Sequence, residues 1–156
     1  MVDLTIPGKG QCHFEHLVLD LNGTIALDGE IIEGVYSRLQ QLGELLNISI
    51  ITADTHGSAQ RLKKSLPIKI YKIDMGQEQA QKLELVRRLG AKSTVCIGNG
   101  ANDVAMLRES GLGICVVGPE GASAEAMSSC DLVIADIKAA LDLLLKPERL
   151  IATLRS

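Results

Sequence analysis

The chain has 156 residues, enough for one domain with a substantial core. Its 46% apolar content rests on Leu, Ile, Val and Ala, because Phe14, Tyr36 and Tyr71 are the only aromatic residues. A formal net charge of -3, with no basic run beyond Arg61-Leu62-Lys63-Lys64, argues against nucleic acid or an anionic membrane as the main partner.

The N-terminus carries no basic segment followed by a long apolar stretch, so no signal peptide is expected. The longest apolar runs are too short to span a bilayer. Cys12, Cys96, Cys115 and Cys130 form no CxxC pair and have no His at metal-ligand spacing. Cys96 and Cys115 sit inside apolar runs, where a thiol behaves as a small buried hydrophobe. A reducing cytoplasm is the expected compartment.

In chain order, Val2, Leu4 and Ile6 alternate before Pro7-Gly8-Lys9-Gly10. This predicts a strand or hairpin over 1–15 that leads into a core over 16–144. The first core strand, over 16–21, brings Asp20 to its tip, and Asn22-Gly23-Thr24 then turns the chain. Asp28-Gly29 reads as a small hairpin flap. Val35, Leu39, Leu42 and Leu46 recur at helical spacing, and strands follow over 48–52 and 68–73. Leu83, Val86 and Leu89 mark a helix that Gly90 stops. A strand over 94–97 then meets Gly98-Asn99-Gly100 and a helix predicted over 101–109.

Strands over 113–117 and 132–135 come next. Asp136 caps a helix carrying Ala139, Ala140, Leu143 and Leu144, and Pro147 opens a last helix within 147–156. The strands are short, β-branched and apolar on both faces, as in a parallel sheet covered by helices. The fold expected is α/β, a three-layer doubly wound parallel sheet forming one domain over 1–156 without a large cap.

Ligands of such a sheet bind beyond the carboxyl ends of its strands. Asp20, Asn22, Gly23 and Thr24 follow the first core strand; Thr52, Ala53 and Asp54 follow the second; Gly98, Asn99, Gly100, Asn102 and Asp103 follow the fourth. A carboxylate at a strand tip can hold a hard cation or attack phosphorus. Gly23 allows a sharp turn whose N–H groups suit phosphate oxygens. Thr52 offers a hydroxyl, Lys82 a neutralising charge and Asp103 a second oxygen ligand for Mg2+. Together they compose a phosphoryl-transfer site.

Taken singly, each has a plainer role. Asp20 could cap its turn, Thr52 bond its own backbone, Lys82 sit in solvent and Asp103 complement a helix start. Asp54 and His56 could meet substrate or simply face water.

The ordered set DLNGT (20–24), TAD (52–54), Lys82 backed by Val86 and Leu89, and GNGANDVAML (98–107) resembles the haloacid dehalogenase superfamily of phosphohydrolases. Within it, the chain is similar to the phosphorylation domain of P-type ATPases and to their soluble, capless relatives. The resemblance spans roughly residues 16 to 144. It implies that Asp20 becomes an aspartyl-phosphate, while Thr52 and Lys82 hold the phosphoryl oxygens and orient it. Gly23, Thr24, Ala53 and Asn102 complete the phosphate site. Mg2+ would take Asp20, the backbone carbonyl of Asn22, and Asn99 with Asp103.

Two positions depart from that pattern. Many family phosphatases have Asp where Asn22 stands, as general acid and base; an amide does neither at neutral pH. That loss costs about 10² to 10⁴ in rate. Asn99 also replaces an Asp, which weakens affinity for a hard cation. About two dozen residues separate Thr24 from Ile48, too few for a nucleotide-binding or large cap domain. Capless relatives close their sites with a neighbouring subunit, so a homo-oligomer is expected, with the N-terminal hairpin or the last helix as contact surface. The expectation is a slow Mg2+-dependent phosphohydrolase acting on a small phosphorylated substrate. The alternative is a catalytically quiet phosphate- or Mg2+-binding module.

Overall fold

Alternation of Val2, Leu4 and Ile6 with polar residues leaves one apolar face to bury. In the computed structural model, which describes residues 1–54 and 57–156, this segment is β1 (Val2–Ile6), paired antiparallel with β2 (Gly10–Phe14). All three apolar side chains are buried in the main core. The chain then runs through β3 (His16–Asp20), β4 (Ala26–Leu27), β5 (Glu30–Ile31), α1 (Val35–Leu42), β6 (Asn47–Thr52), α2 (Ser58–Ser65) and β7 (Lys69–Lys72). It continues with α3 (Glu78–Leu89), β8 (Thr94–Gly98), α4 (Val104–Glu109), β9 (Leu112–Val116), α5 (Ala124–Ser129), β10 (Leu132–Ile134), α6 (Ile137–Leu145) and α7 (Pro147–Leu154). His56 lies outside the described residues.

Six strands form one parallel sheet in the order β10-β9-β8-β3-β6-β7. From β3 the chain builds outward through β6 and β7, then crosses to β8 on the other side. The crevice between β3 and β8 is therefore the point where strand order reverses, the usual ligand position of an open α/β sheet. Side chains alternate across the sheet. Leu17 and Leu19 pack with apolar residues of α1, α2, α6 and α7, whereas Val18 packs with those of α3, α4 and α5. Asp20 shares the parity of Val18 and so faces the α3 side. The expected three-layer α/β fold is the one observed.

Between β3 and α1 the chain forms only the β4–β5 hairpin, so no large cap covers the strand ends. Its turn uses positive φ at Asp28 (52°) and Gly29 (81°), which Asp-Gly tolerates well. The helix expected over 101–109 instead opens as a 3-10 turn, Ala101–Asp103, before α4. Short α2 and α5 had no sequence signal. Leu150 and Leu154 of α7 are buried in the chain's own core, and the Ser156 N–H donates to the Pro7 carbonyl at 3.1 Å. One face of α7 thus packs on the chain's own core, while Ala152 and Thr153 remain exposed.

Cys96 and Cys115 are buried as expected, and burial pushes their thiols up to about 12 and about 11. Among the described residues no helix is long and apolar enough to cross a membrane.

Candidate active site

Asp20, at the carboxyl end of β3, is only 9% exposed, and its two oxygens have different partners. Oδ1 accepts from the Lys82 ammonium at 2.8 Å, and Oδ2 accepts from the Thr24 hydroxyl at 3.1 Å. Lys82 reaches it because α3 lies across the face that Asp20 points to. Leu85 and Val86, one turn further along α3, are buried there with Val18. The same ammonium donates to Asp103 Oδ1 at 2.7 Å and to Asn102 Oδ1 at 3.4 Å. Its three protons are then all engaged.

Asp103 is fully buried. Its second oxygen accepts the N–H groups of Asn99 (3.0 Å) and Gly100 (2.9 Å), which fastens the loop after β8. Gly98 makes room for it, since a Cβ there would lie 2.5 Å from the Asp103 carboxyl carbon.

Burial raises the Asp20 carboxyl, the Asp103 charge raises it further, and Lys82 and Thr24 offset part of this, leaving it at about 6. Burial works to lower the Lys82 ammonium, but the two carboxylates outweigh it and hold it above its ordinary value. At neutral pH Asp20 is therefore largely ionised and Lys82 is the ammonium that bridges it to Asp103.

A cavity of about 280 Å³ opens on this cluster. Asp20, Asn22, Thr52, Ala53, Lys82, Asn99 and Asn102 all line it, so seven of the sequence-predicted residues converge. The Thr52 hydroxyl oxygen accepts the Asp54 N–H at 3.0 Å, as the plainer reading had it. An adjoining groove of about 600 Å³ shares Glu78 and Asn102 with the cavity and is otherwise lined by the start of α3 and by Ala101 and Ala105.

Three of the predicted residues have their polar groups engaged within the protein. The Gly23 and Thr24 N–H groups are donated inside the turn, to the Ala26 carbonyl (2.8 Å) and the Leu21 carbonyl (3.3 Å). The buried Thr24 hydroxyl donates to Asp20 and Asn99. Asp103 is not among the cavity-lining residues, and its two oxygens accept from the Lys82 ammonium and from the Asn99 and Gly100 N–H groups.

Two acidic lining residues escaped the sequence reading, Glu78 and Glu120. Glu78 sits one turn before Lys82 on α3, and its own N–H and that of Gly76 hold its carboxyl below the ordinary value. Glu120 follows β9, and applying the strand-end rule to that fifth core strand would have found it.

The donor set suits a hard cation. Asp20 Oδ2 and Asn99 Oδ1 both take the single Thr24 hydroxyl proton, at 3.1 and 3.3 Å, leaving two oxygens short of positive charge. Among the described residues there is no group of three His, Cys, Asp or Glu side chains placed to hold a metal. Carboxylate, amide and backbone oxygens favour Mg2+ or Mn2+ over softer metals.

Comparison with known proteins finds likenesses in sequence and in fold. An uncharacterized protein of Methanocaldococcus jannaschii is 42% identical over 92 residues, covering 56% of this chain and 99% of that protein. A soluble P-type ATPase-like phosphatase of the same organism is 29% identical over 123 residues. That match takes in 77% of this chain but 45% of the phosphatase.

Among solved structures, the 3-deoxy-D-manno-octulosonate 8-phosphate phosphatase of Moraxella catarrhalis, crystallised with magnesium, phosphate and its sugar, superposes with a TM-score of 0.66. It is 23% identical and the match covers 92% of this chain and 94% of that one, a likeness of fold. The sequence profile of haloacid dehalogenase-like hydrolases matches residues 49–139, from β6 through the loop after β8 to the start of α6. With strand order, switch-point crevice and profile in agreement, the chain belongs to the haloacid dehalogenase-like hydrolases.

Proposed function

We propose that the chain is a Mg2+-dependent phosphohydrolase that transfers a phosphoryl group to Asp20 and turns over slowly. The observation that carries this reading is the convergence of Asp20, Thr52 and Lys82 on one cavity beyond the strand ends, with Asp103 behind them. A small phosphorylated substrate fits the cavity with its phosphoryl group, while its remainder lies in the adjoining groove.

Ionised Asp20 attacks phosphorus, a new O–P bond forms, and the ester P–O bond breaks. The leaving oxygen keeps the electron pair and takes its proton from water, because the Asn22 amide has none to give. Water next attacks the acyl phosphate; the bond from phosphorus to Asp20 breaks, releasing inorganic phosphate and the carboxylate. Lys82 holds Asp20 in line and balances its charge, and the Thr52 hydroxyl donates to a phosphoryl oxygen. Asp20, the Asn22 carbonyl and Asn99 would hold Mg2+, which when bound neutralises charge on the transferring group.

A chromogenic phosphomonoester or an acyl phosphate, offered with Mg2+, tests the reading. Turnover should be measurable and should vanish in Asp20→Asn; turnover that persists in this variant removes Asp20 as nucleophile.

One observation favours a second reading, a quiet phosphate- or Mg2+-binding module. All three Lys82 protons are donated to the protein, leaving none for a phosphate. The double variant Asn22→Asp, Asn99→Asp separates the two. A slow enzyme gains about 10² to 10⁴ in rate. A quiet module shows turnover only in the variant.

A further inference from the structure

The turn after β9 places a carboxylate beside the Asn99 amide at the edge of the cavity. Its tip is Gly118-Pro119-Glu120-Gly121, closed by the Gly121 N–H on the Gly118 carbonyl at 2.8 Å, with Gly121 at φ 74°. Asn99 ties this turn down twice. Its side-chain amide donates to the Gly121 carbonyl at 3.3 Å, and its own carbonyl accepts the Ser123 N–H at 2.8 Å. The first of these bonds fixes the amide so that Oδ1 accepts from the Thr24 hydroxyl, at 3.3 Å.

Gly23 locates the glutamate. A side chain at Gly23 would collide with Glu120 Oε2 and would come within 2.8 Å of Asn99 Nδ2. The Glu120 carboxylate and the Asn99 amide therefore rest on the same stretch of backbone. Among the described residues Glu120 forms no ion pair, although it lines the cavity with Asp20, Asn22 and Asn99. Three acids, Asp20, Glu78 and Glu120, line that cavity against one lysine, which Asp20 and Asp103 already engage. A phosphate dianion would be repelled from such a lining without a further cation.

We propose that Glu120 is a ligand of the divalent cation in this site, supplying from the β9–α5 turn the charge that the Asn99 amide lacks. The proposal rests on the phosphohydrolase reading only for the identity of the site; cation binding is measured without substrate. Affinity for hard cations rises with the number of carboxylates, so loss of this one is felt directly.

Mn2+ is the probe, titrated into the full chain and followed by the spin-resonance signal of the free ion. Glu120→Gln should raise the Kd at least about tenfold. Adding Asn99→Asp to that variant should restore most of the lost affinity, because the carboxylate returns a few ångströms away. The glutamate is exposed on a turn, and the thermal unfolding of Glu120→Gln should match that of the original chain.

An unchanged Kd in Glu120→Gln overturns the proposal and leaves Asp20-dependent turnover standing as a separate result. An original chain that shows no saturable binding at millimolar Mn2+ overturns the proposal too. Turnover that survives Asp20→Asn sinks the phosphohydrolase reading instead, with the Mn2+ comparison unaffected.

Discussion

Lys82 is the residue on which the site's electrostatics turn. It is 1% exposed, and such burial is tolerable for an ammonium only because two carboxylates and an amide take its protons. The same arrangement strains Asp20, whose carboxyl stands at about 6 against an ordinary 3.8 because of burial and the nearby Asp103 charge. The sign follows from proton counting. Between those two values the folded chain holds a proton that the unfolded chain has released, so Asp20's contribution is full below 3.8 and lost as pH rises through about 6. Asp20→Asn removes this titration. Denaturant unfolding in metal-free buffer should show the variant gaining on the original chain as pH rises through that window, then running parallel above it. A constant difference across the window would show that Asp20 ionises as freely in the fold as outside it.

At the scale of elements, the site is made by strand ends and by what packs behind them. β3, β6 and β8 deliver Asp20, Thr52 and the Gly98-Asn99-Gly100 turn to one edge, and α3 lays Lys82 across the first. The end of β8 has no spare volume. A methyl group on Gly98 would meet the Asp103 carboxylate at 2.5 Å and push it off the N–H groups and the ammonium it holds. Gly98→Ala should therefore cost about 1–3 kcal/mol, as overpacking does, seen as a lower urea midpoint. Turnover should fall with it, since Lys82 loses its second anchor.

Elements also differ in how plainly the sequence announces them. β1 and α6 show their periods over many residues. α2 buries Ala59 and Leu62 as its apolar contacts and α5 only Ala126, too little periodic signal to separate a helix from a loop. The helix after Gly100 begins as a 3-10 turn because Asp103 folds back onto the Asn99 and Gly100 N–H groups.

Across the whole molecule, strand order decides which loops meet. The crossover from β7 to β8 sets the loop after β8 beside that after β3, and β9, next to β8, adds Glu120. The alternating apolar runs determined by themselves that this chain forms a parallel sheet between helices, because such strands are stable only when both faces are covered. The resemblance carried by the ordered motifs implied that Asp20, Thr52 and Lys82 belong together, and all three line one cavity. Only the tertiary structure decided how the remaining polar groups divide their work. Gly23 and Thr24 close a turn, Asp103 steadies a lysine, and Glu120 stands beside Asn99. Hydrogen-bond partners far apart in the chain are chosen by packing, and local sequence carries no trace of that choice.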